Sequence, residues 1–420
     1  MNKQNAFLVI IICVFSTFSL TVNSQQSTSE LKKNGKHSAG KLLVEQYCTS
    51  CHGINQITRS SGYNYAGWQS LTRTMLDLSA QPSIEQQVFT YLAANYPINT
   101  NRSPTLMSGP LKIEFTRWQT PTLGQRSRDP IEAQDGKIWW AGQRQNLIGQ
   151  INPTTGAMKE YPLPPNAMPH TVTIGPDNHV WYTGNKNGSI GKVDPATGEV
   201  TEFKMPDKKA KDPHSAIFAN NGILWFTAQH SNFIGRLDPK TGDIKLVTLP
   251  RANSKPYGIK IAADGTPWVA CNGNNCLIKV NPDTMQLTEV LLPNSATKVR
   301  RLDIASDGMI WYVNSSQGRL GRYNPKNGDI KEWPSPSGKN SHPYAIAVID
   351  NVVWYNESGM RPDALVRFEP NSETFQSWAI PSGDIYAGIV RHMRATRDDD
   401  LLIHQSSTNS IIKVSVAKDR

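Results

Sequence analysis

The sequence predicts a multidomain chain, a small all-α unit followed by an all-β seven-bladed propeller, behind a short export leader. Three observations carry this. Trp139, Trp181, Trp225, Trp268, Trp311 and Trp354 recur at intervals of 42, 44, 43, 43 and 43 residues, the period of a four-stranded blade. The stretch "EQYCTSCHGINQ", residues 45–56, sets Cys48, Cys51 and His52 in a Cys-x-x-Cys-His pattern. Residues 1–24 open with Lys3, run through "AFLVIIICVFSTFSL" and end in "TVNS", which is the charge, apolar core and small-residue exit of a secretory signal.

Taken in order, the leader is expected to be cleaved near Ser24, and Cys13 in its apolar core lacks the context of a lipid-attachment site. Residues 25–35 read as a disordered spacer, and no later segment is apolar enough to span a bilayer. The mature chain is therefore expected in the periplasm or secreted. Four cysteines remain there, Cys48, Cys51, Cys271 and Cys276, in a setting that permits disulfides. A net charge of +10 and a pI of about 9.3 favour acidic partners. An exported chain rarely meets nucleic acid, so acidic proteins, lipid headgroups or anionic polymers fit that charge better.

The Cys-x-x-Cys-His pattern attaches haem c: two thiols reach two vinyl groups of one porphyrin, and the adjacent imidazole lies under the iron. Cys48 and Cys51 are thus the expected attachment points and His52 the proximal iron ligand. Met75 is the expected second ligand, with Met107 as the alternative. Helical periodicity fits "HSAGKLLVEQY", "YAGWQSLTRTMLDLS" and "SIEQQVFTYLAANYP", the last opened by Ser83 and closed by Pro97. Three helices over residues 36–97 hold too little core to fold unaided, and a covalent cofactor would supply an apolar centre. The stretches "AGWQSLTRTM" and "VFTYLAANYP" resemble the class I cytochrome c fold, as in the small haem domains of periplasmic dehydrogenases.

Residues 98–110, "INTNRSPTLMSGP" in large part, form a polar connector, and the propeller is expected over 111–420. Within each unit, "SIGKV" or "FIGRL" alternates as a half-buried strand. "NPTTG", "DPATG", "DPKTG" and "NPKNG" then turn the chain, with proline fixing φ and glycine taking the left-handed position. The tryptophans are expected between neighbouring blades. A seventh unit places Ile403 at the tryptophan position and stops one strand short. Residues 111–121, "LKIEFTRWQTP", are expected to supply that strand and close the ring. Cys271 and Cys276 flank the turn "NGNN", either as a disulfide or as two buried thiols.

"PHTVTIGPDNHVWYTG", "PYGIKIAADGTPWVA" and "IGRLDPKTG" resemble the streptogramin B lyase (virginiamycin B lyase) family of seven-bladed propellers. That resemblance implies opening of a cyclic depsipeptide by elimination across its ester bond, with Mg²⁺, by histidines at inner-strand starts and glutamates after the tryptophan strand. His170 and His214 follow prolines in the right local pattern, and Glu357 fills the glutamate position. The family's working histidines fall on its last two units, where this chain has Tyr344 and Ala387. Inner-strand starts carry His170, His214, Tyr257, Arg300, Arg301, Tyr344, Arg391, His392 and Arg394, a rim suited to an anionic or aromatic small molecule. The first expectation is an exported haem c protein passing electrons to a redox partner protein, for which the basic charge favours an acidic one, with the propeller recognising substrate or partner. The alternatives are a streptogramin B-type C–O lyase with the helical part as accessory, and a haem-bearing binding or sensing module.

Overall fold

The computed structural model describes residues 39–50, 53–58, 60, 62–99, 102–381 and 389–417. The expected signal peptide, Cys51, His52 and Ala387 lie outside the described residues.

Seven four-stranded antiparallel sheets stand as blades around an axis. Inner strands touch their neighbours all the way round, from the first blade to the seventh and back to the first. The tryptophan-bearing strand is second in each blade, and its period follows from what it buries. Trp225 packs with Ile259 and Val269 of the next blade, and Trp354 with Met393 and Ile403 of the seventh. All six tryptophans are at most 4 % exposed, and Ile403 at the seventh position is fully buried. The indoles therefore fill the wedges between blades, as expected.

The turn signals also hold. Gly156, Gly198, Gly242 and Gly328 take φ of +73°, +80°, +79° and +83°, where a Cβ would be strained. Asp194 shows the other half of the device: its Oδ1 accepts from the Ala196 N–H at 2.7 Å, an Asx turn ahead of the glycine. The ring closes through the two ends of the chain. Ile113–Gln119 pairs antiparallel with Ser410–Val416, Phe115 opposite Val414, so the first strand completes the last blade. Cys271 and Cys276 form a disulfide across their turn, with Cα atoms 5.4 Å apart.

The expected all-α cytochrome c domain over residues 36–97 is not what the structure shows. The described fold is a seven-bladed propeller carrying only four short helices: α1 over 39–48, α2 (Asn55–Thr58), α3 (Tyr65–Arg73) and α4 (Pro82–Asn95). The expected 15-residue middle helix ends at Arg73 for a visible reason. The Thr74 carbonyl, which a further helical turn would need, accepts instead from the Gly124 N–H at 3.0 Å and from Asn409 Nδ2 at 2.5 Å, both propeller loops. α4 opens at Pro82, one residue before the expected Ser83, and Gln81 caps it without a side-chain bond. The helices share one apolar cluster of Val44, Trp68, Leu71, Val88, Phe89 and Leu92, among others, and rest on the propeller rather than standing apart.

Candidate functional site

In each of the first six blades the inner strand begins with a shift in register, such as Pro169 to Val172, Pro213 to Ala216 and Val299 to Leu302. A bulge of this kind re-aims one or two side chains out of the pleat. Here it delivers a polar residue from each blade to one end of the axial channel. His170 and His214 meet there with ring centroids 3.6 Å apart and planes tilted by 37°, and His214 meets Tyr257 at 4.1 Å. The Tyr257 and Tyr344 hydroxyls are joined by a short hydrogen bond. Arg300 lies over both rings, its Cζ 5.5 Å from the Tyr257 centroid and 4.8 Å from that of Tyr344.

Asp129 lies buried among cations. Its Oδ2 accepts from Thr171 Oγ1 at 2.7 Å and faces His392 Nδ1 at 3.3 Å and Arg301 Nη2 at 3.6 Å, while His404 Nε2 stands 3.9 Å from Oδ1. Burial alone would raise this carboxyl, yet His392 and Arg301 hold it well below the usual carboxylate range. Arg301 is anchored further by Nε donating to the Arg391 carbonyl at 2.6 Å. His404 donates from Nδ1 to the Ser127 carbonyl at 3.0 Å and accepts the Arg391 N–H on Nε2 at 3.3 Å, which fixes the neutral tautomer. Burial keeps it neutral, lowering it to about 3.

The centre is short of negative charge. Arg126, Arg128, Arg300, Arg301, Arg391 and Arg394 converge on it, against the buried carboxylates of Asp129 and Asp363. Burial, then the charges of Arg391, Arg128 and Arg144, pull Arg126 well below the ordinary arginine value. Arg300 Nε and Arg128 Nε are buried with no hydrogen-bond partner. A cavity of about 300 Å³ opens between Arg300, His342, Tyr344, Ser358, Ile389 and Arg391. Buried cationic donors around an opening of this size suit an anion. A second cavity of about 320 Å³, at Thr266, Lys279 and Gln286, lies on the opposite face and gathers no such set.

Of the residues read from sequence, His170, His214, Tyr257, Arg300, Arg301, Tyr344, Arg391, His392 and Arg394 do stand at this end of the channel. Glu357 is placed differently. Its carboxylate accepts from Ser335 Oγ at 2.7 Å, from the Ser337 N–H at 2.9 Å and from Ser337 Oγ, so it clasps the loop leaving the outer strand of the preceding, fifth blade. Mg²⁺ does not fit the described residues: no three His, Cys, Asp or Glu side chains are grouped to hold a metal ion. Asp129 and Asp363 are the carboxylates at this centre, where magnesium demands several oxygen ligands, and a guanidinium already faces each of them. Sequence reasoning missed Arg128 and Asp129. The signal was an offset: His170, His214, Tyr257 and Arg300 each precede their tryptophan by 11 residues, and so does Arg128.

In the helical part, Cys48 is half-buried, and it and Met75, just beyond the end of α3, each pack against the apolar cluster. Burial pushes the Cys48 thiol up to about 11. Met107 is 40 % exposed, its N–H donating to Ser377 Oγ at 2.8 Å on the sixth blade's outer strand. No helix among the described residues is long and apolar enough to cross a membrane.

Similarity to known proteins converges on the propeller. Virginiamycin B lyase from Staphylococcus aureus superposes with a TM-score of 0.65 at 24 % identity, covering 73 % of this chain and all of that one. A catalytically inactive histidine-to-alanine form of the same S. aureus enzyme, solved with quinupristin, gives 0.64 at 24 % identity over 72 % of this chain and 100 % of that chain. The extracellular domain of a two-component-system protein from B. thetaiotaomicron gives 0.55 at 14 % identity, covering 74 % of this chain and 43 % of that one. These establish a shared fold. No curated protein matches the sequence. The sequence profile of the virginiamycin B lyase family matches residues 109–367, more than half of the chain, and the chain belongs to that family.

Proposed function

We propose that the channel mouth is a C–O lyase site, opening an ester by elimination and holding the carboxylate that leaves. The observation that carries this reading is the cavity bounded by Arg300, Arg391 and Tyr344 on a propeller of this family. Elimination across an ester removes a proton from the carbon next to the one bearing oxygen, breaks the C–O bond, and leaves an alkene and a carboxylate. Charge develops on the departing oxygen, and preorganised cations in a dry site stabilise it more than water does. Arg300 and Arg391 are the groups placed to do so. His170 and His214 are buried and neutral beside Tyr257. Burial, then nearby arginines, holds His214 well below its usual range, and burial, then Arg128, does the same for His170. They shape the channel wall and keep it dry.

The substrate class follows from the family relationship and from quinupristin, the compound solved with the inactive S. aureus lyase. Incubating the full chain with quinupristin should yield a ring-opened product, followed by chromatography. Arg300→Ala should slow it by roughly 10²–10³, the cost of losing one oxyanion-type donor. A wild-type chain that leaves quinupristin intact would refute the reading.

Covalent haem is a second reading, favoured by one observation: Cys48 and Met75 border the same apolar cluster. Cys48 with Cys51 would attach it and His52 with Met75 would ligate iron, adding one-electron chemistry beside the propeller. Intact-mass measurement of the mature chain should then show one haem added. A bare polypeptide mass would sink this reading.

A further inference from the structure

The family resemblance implied a histidine base, yet the cavity at the channel mouth is bordered by a tyrosine. Tyr344 is buried, 6 % exposed, at the start of the sixth blade's inner strand, and Tyr257 comes to it from the fourth blade. Their hydroxyls share one short hydrogen bond, and the Arg300 guanidinium lies over both rings. His342 precedes Tyr344 with its ring 6.2 Å away and borders the same cavity. The two adjoining histidines, by contrast, lie beyond Tyr257 and are absent from the cavity wall.

We propose that Tyr344 is the proton acceptor of this site, a phenolate held by Arg300 and Arg391 and steadied by the Tyr257 hydroxyl. The step rests on the lyase reading above, and its bookkeeping is complete without a co-reactant. The phenolate oxygen takes the proton α to the carbonyl of the residue whose side-chain oxygen forms the ester. The C–H pair becomes the new C=C bond, and the C–O pair leaves with the carboxylate, which Arg300 and Arg391 receive. Nothing is oxidised or reduced, and the phenol then returns its proton to water.

The charges around Tyr344 support this. Burial alone would raise it, but Arg300, Arg391 and Arg128, with the Tyr257 hydrogen bond, outweigh burial and bring it down to about 8. Burial and the Tyr344 charge push Tyr257 up to about 12, so the shared proton stays on Tyr257. Around the pair stand Arg126 and Arg128 from the first blade, His214 from the third, Arg300 and Arg301 from the fifth, and His342, Asp363 and Arg391 from the sixth and seventh. Burial holds His342 neutral, at about 4, so it does not compete as a base at neutral pH. A base works best when its proton affinity lies near the working pH.

The test begins without ligand. Ultraviolet titration of the full wild-type chain should show one phenol ionising near pH 8, some two units below an ordinary tyrosine at 10. Tyr344→Phe should delete that step, and Arg300→Gln or Tyr257→Phe should move it upward. With quinupristin, Tyr344→Phe should lose roughly 10²–10⁴ in kcat, as for removal of a general base, and the wild-type rate should rise with pH through the same step. Absence of any low-pH phenol step in the wild type overturns the proposal even if the variants fail to fold. A low step combined with unimpaired turnover by Tyr344→Phe overturns the base role and leaves the lyase reading standing. A low step with no wild-type turnover overturns the lyase reading, and the base role with it.

Discussion

At the scale of single residues, the channel is built from groups whose preferred ionisation was overridden by burial. His170, His214, His342, His392 and His404 are all held below their ordinary value of 6.5 by burial first, with nearby arginines adding to it. The consequence for stability has a definite sign. An unfolded histidine takes up its proton near 6.5, whereas folded His342 does so only at about 4 and His404 at about 3. Between those values the unfolded chain binds more protons, so the stability these groups confer is complete above 6.5 and drains away as pH falls toward 3. The slope is about 1.4 kcal/mol per pH unit for each such group. Thermal melting should therefore drop steeply between pH 6.5 and 4, and His404→Gln should flatten the drop. A melting temperature that does not change across that interval would contradict the neutral, buried assignment.

At the scale of elements, the blade is specified by pairs of residues more than by propensity. In four blades the aromatic after the tryptophan lies over a glycine on the third strand: a Cβ on Gly191 would sit 2.0 Å from the Tyr182 ring, and one on Gly235 2.2 Å from Phe226. That close approach is why "IGKV" and "IGRL" recur. Gly235→Ala should cost about 1–3 kcal/mol, the usual penalty for overpacking a core, read as a lowered denaturation midpoint, whereas a neutral result would mean that the ring can swing aside. Most of this was legible in the sequence, because buried indoles and left-handed glycines leave a mark at fixed spacing. The fourth-blade turn, "NPDTMQ", hid its rule: Met285 holds the left-handed position with φ of 60° and buries its side chain against the neighbouring blade. The middle helix was read too long. Periodicity could not reveal that propeller loops capture the Thr74 carbonyl and end α3.

At the scale of the whole molecule, the ring gathers one side chain per blade at one mouth, and contacts distant in sequence decide what that mouth is. The sequence indicated which residues begin the inner strands, but not that Tyr257 and Tyr344, 87 residues apart, share a proton. Nor did it indicate that Glu357 would be spent on Ser335 and Ser337 of the preceding blade's loop. The helices dock on the same face, Thr74 against Ser407 and Asn409 and Arg144 against Gln56, so the mouth is bordered on one side by α2 and α3. The most direct test of this account is the mass of the product formed from quinupristin in water enriched in heavy oxygen. Elimination predicts a ring-opened isomer of unchanged mass carrying no solvent oxygen. A product heavier by one labelled water, or no product at all, would contradict it.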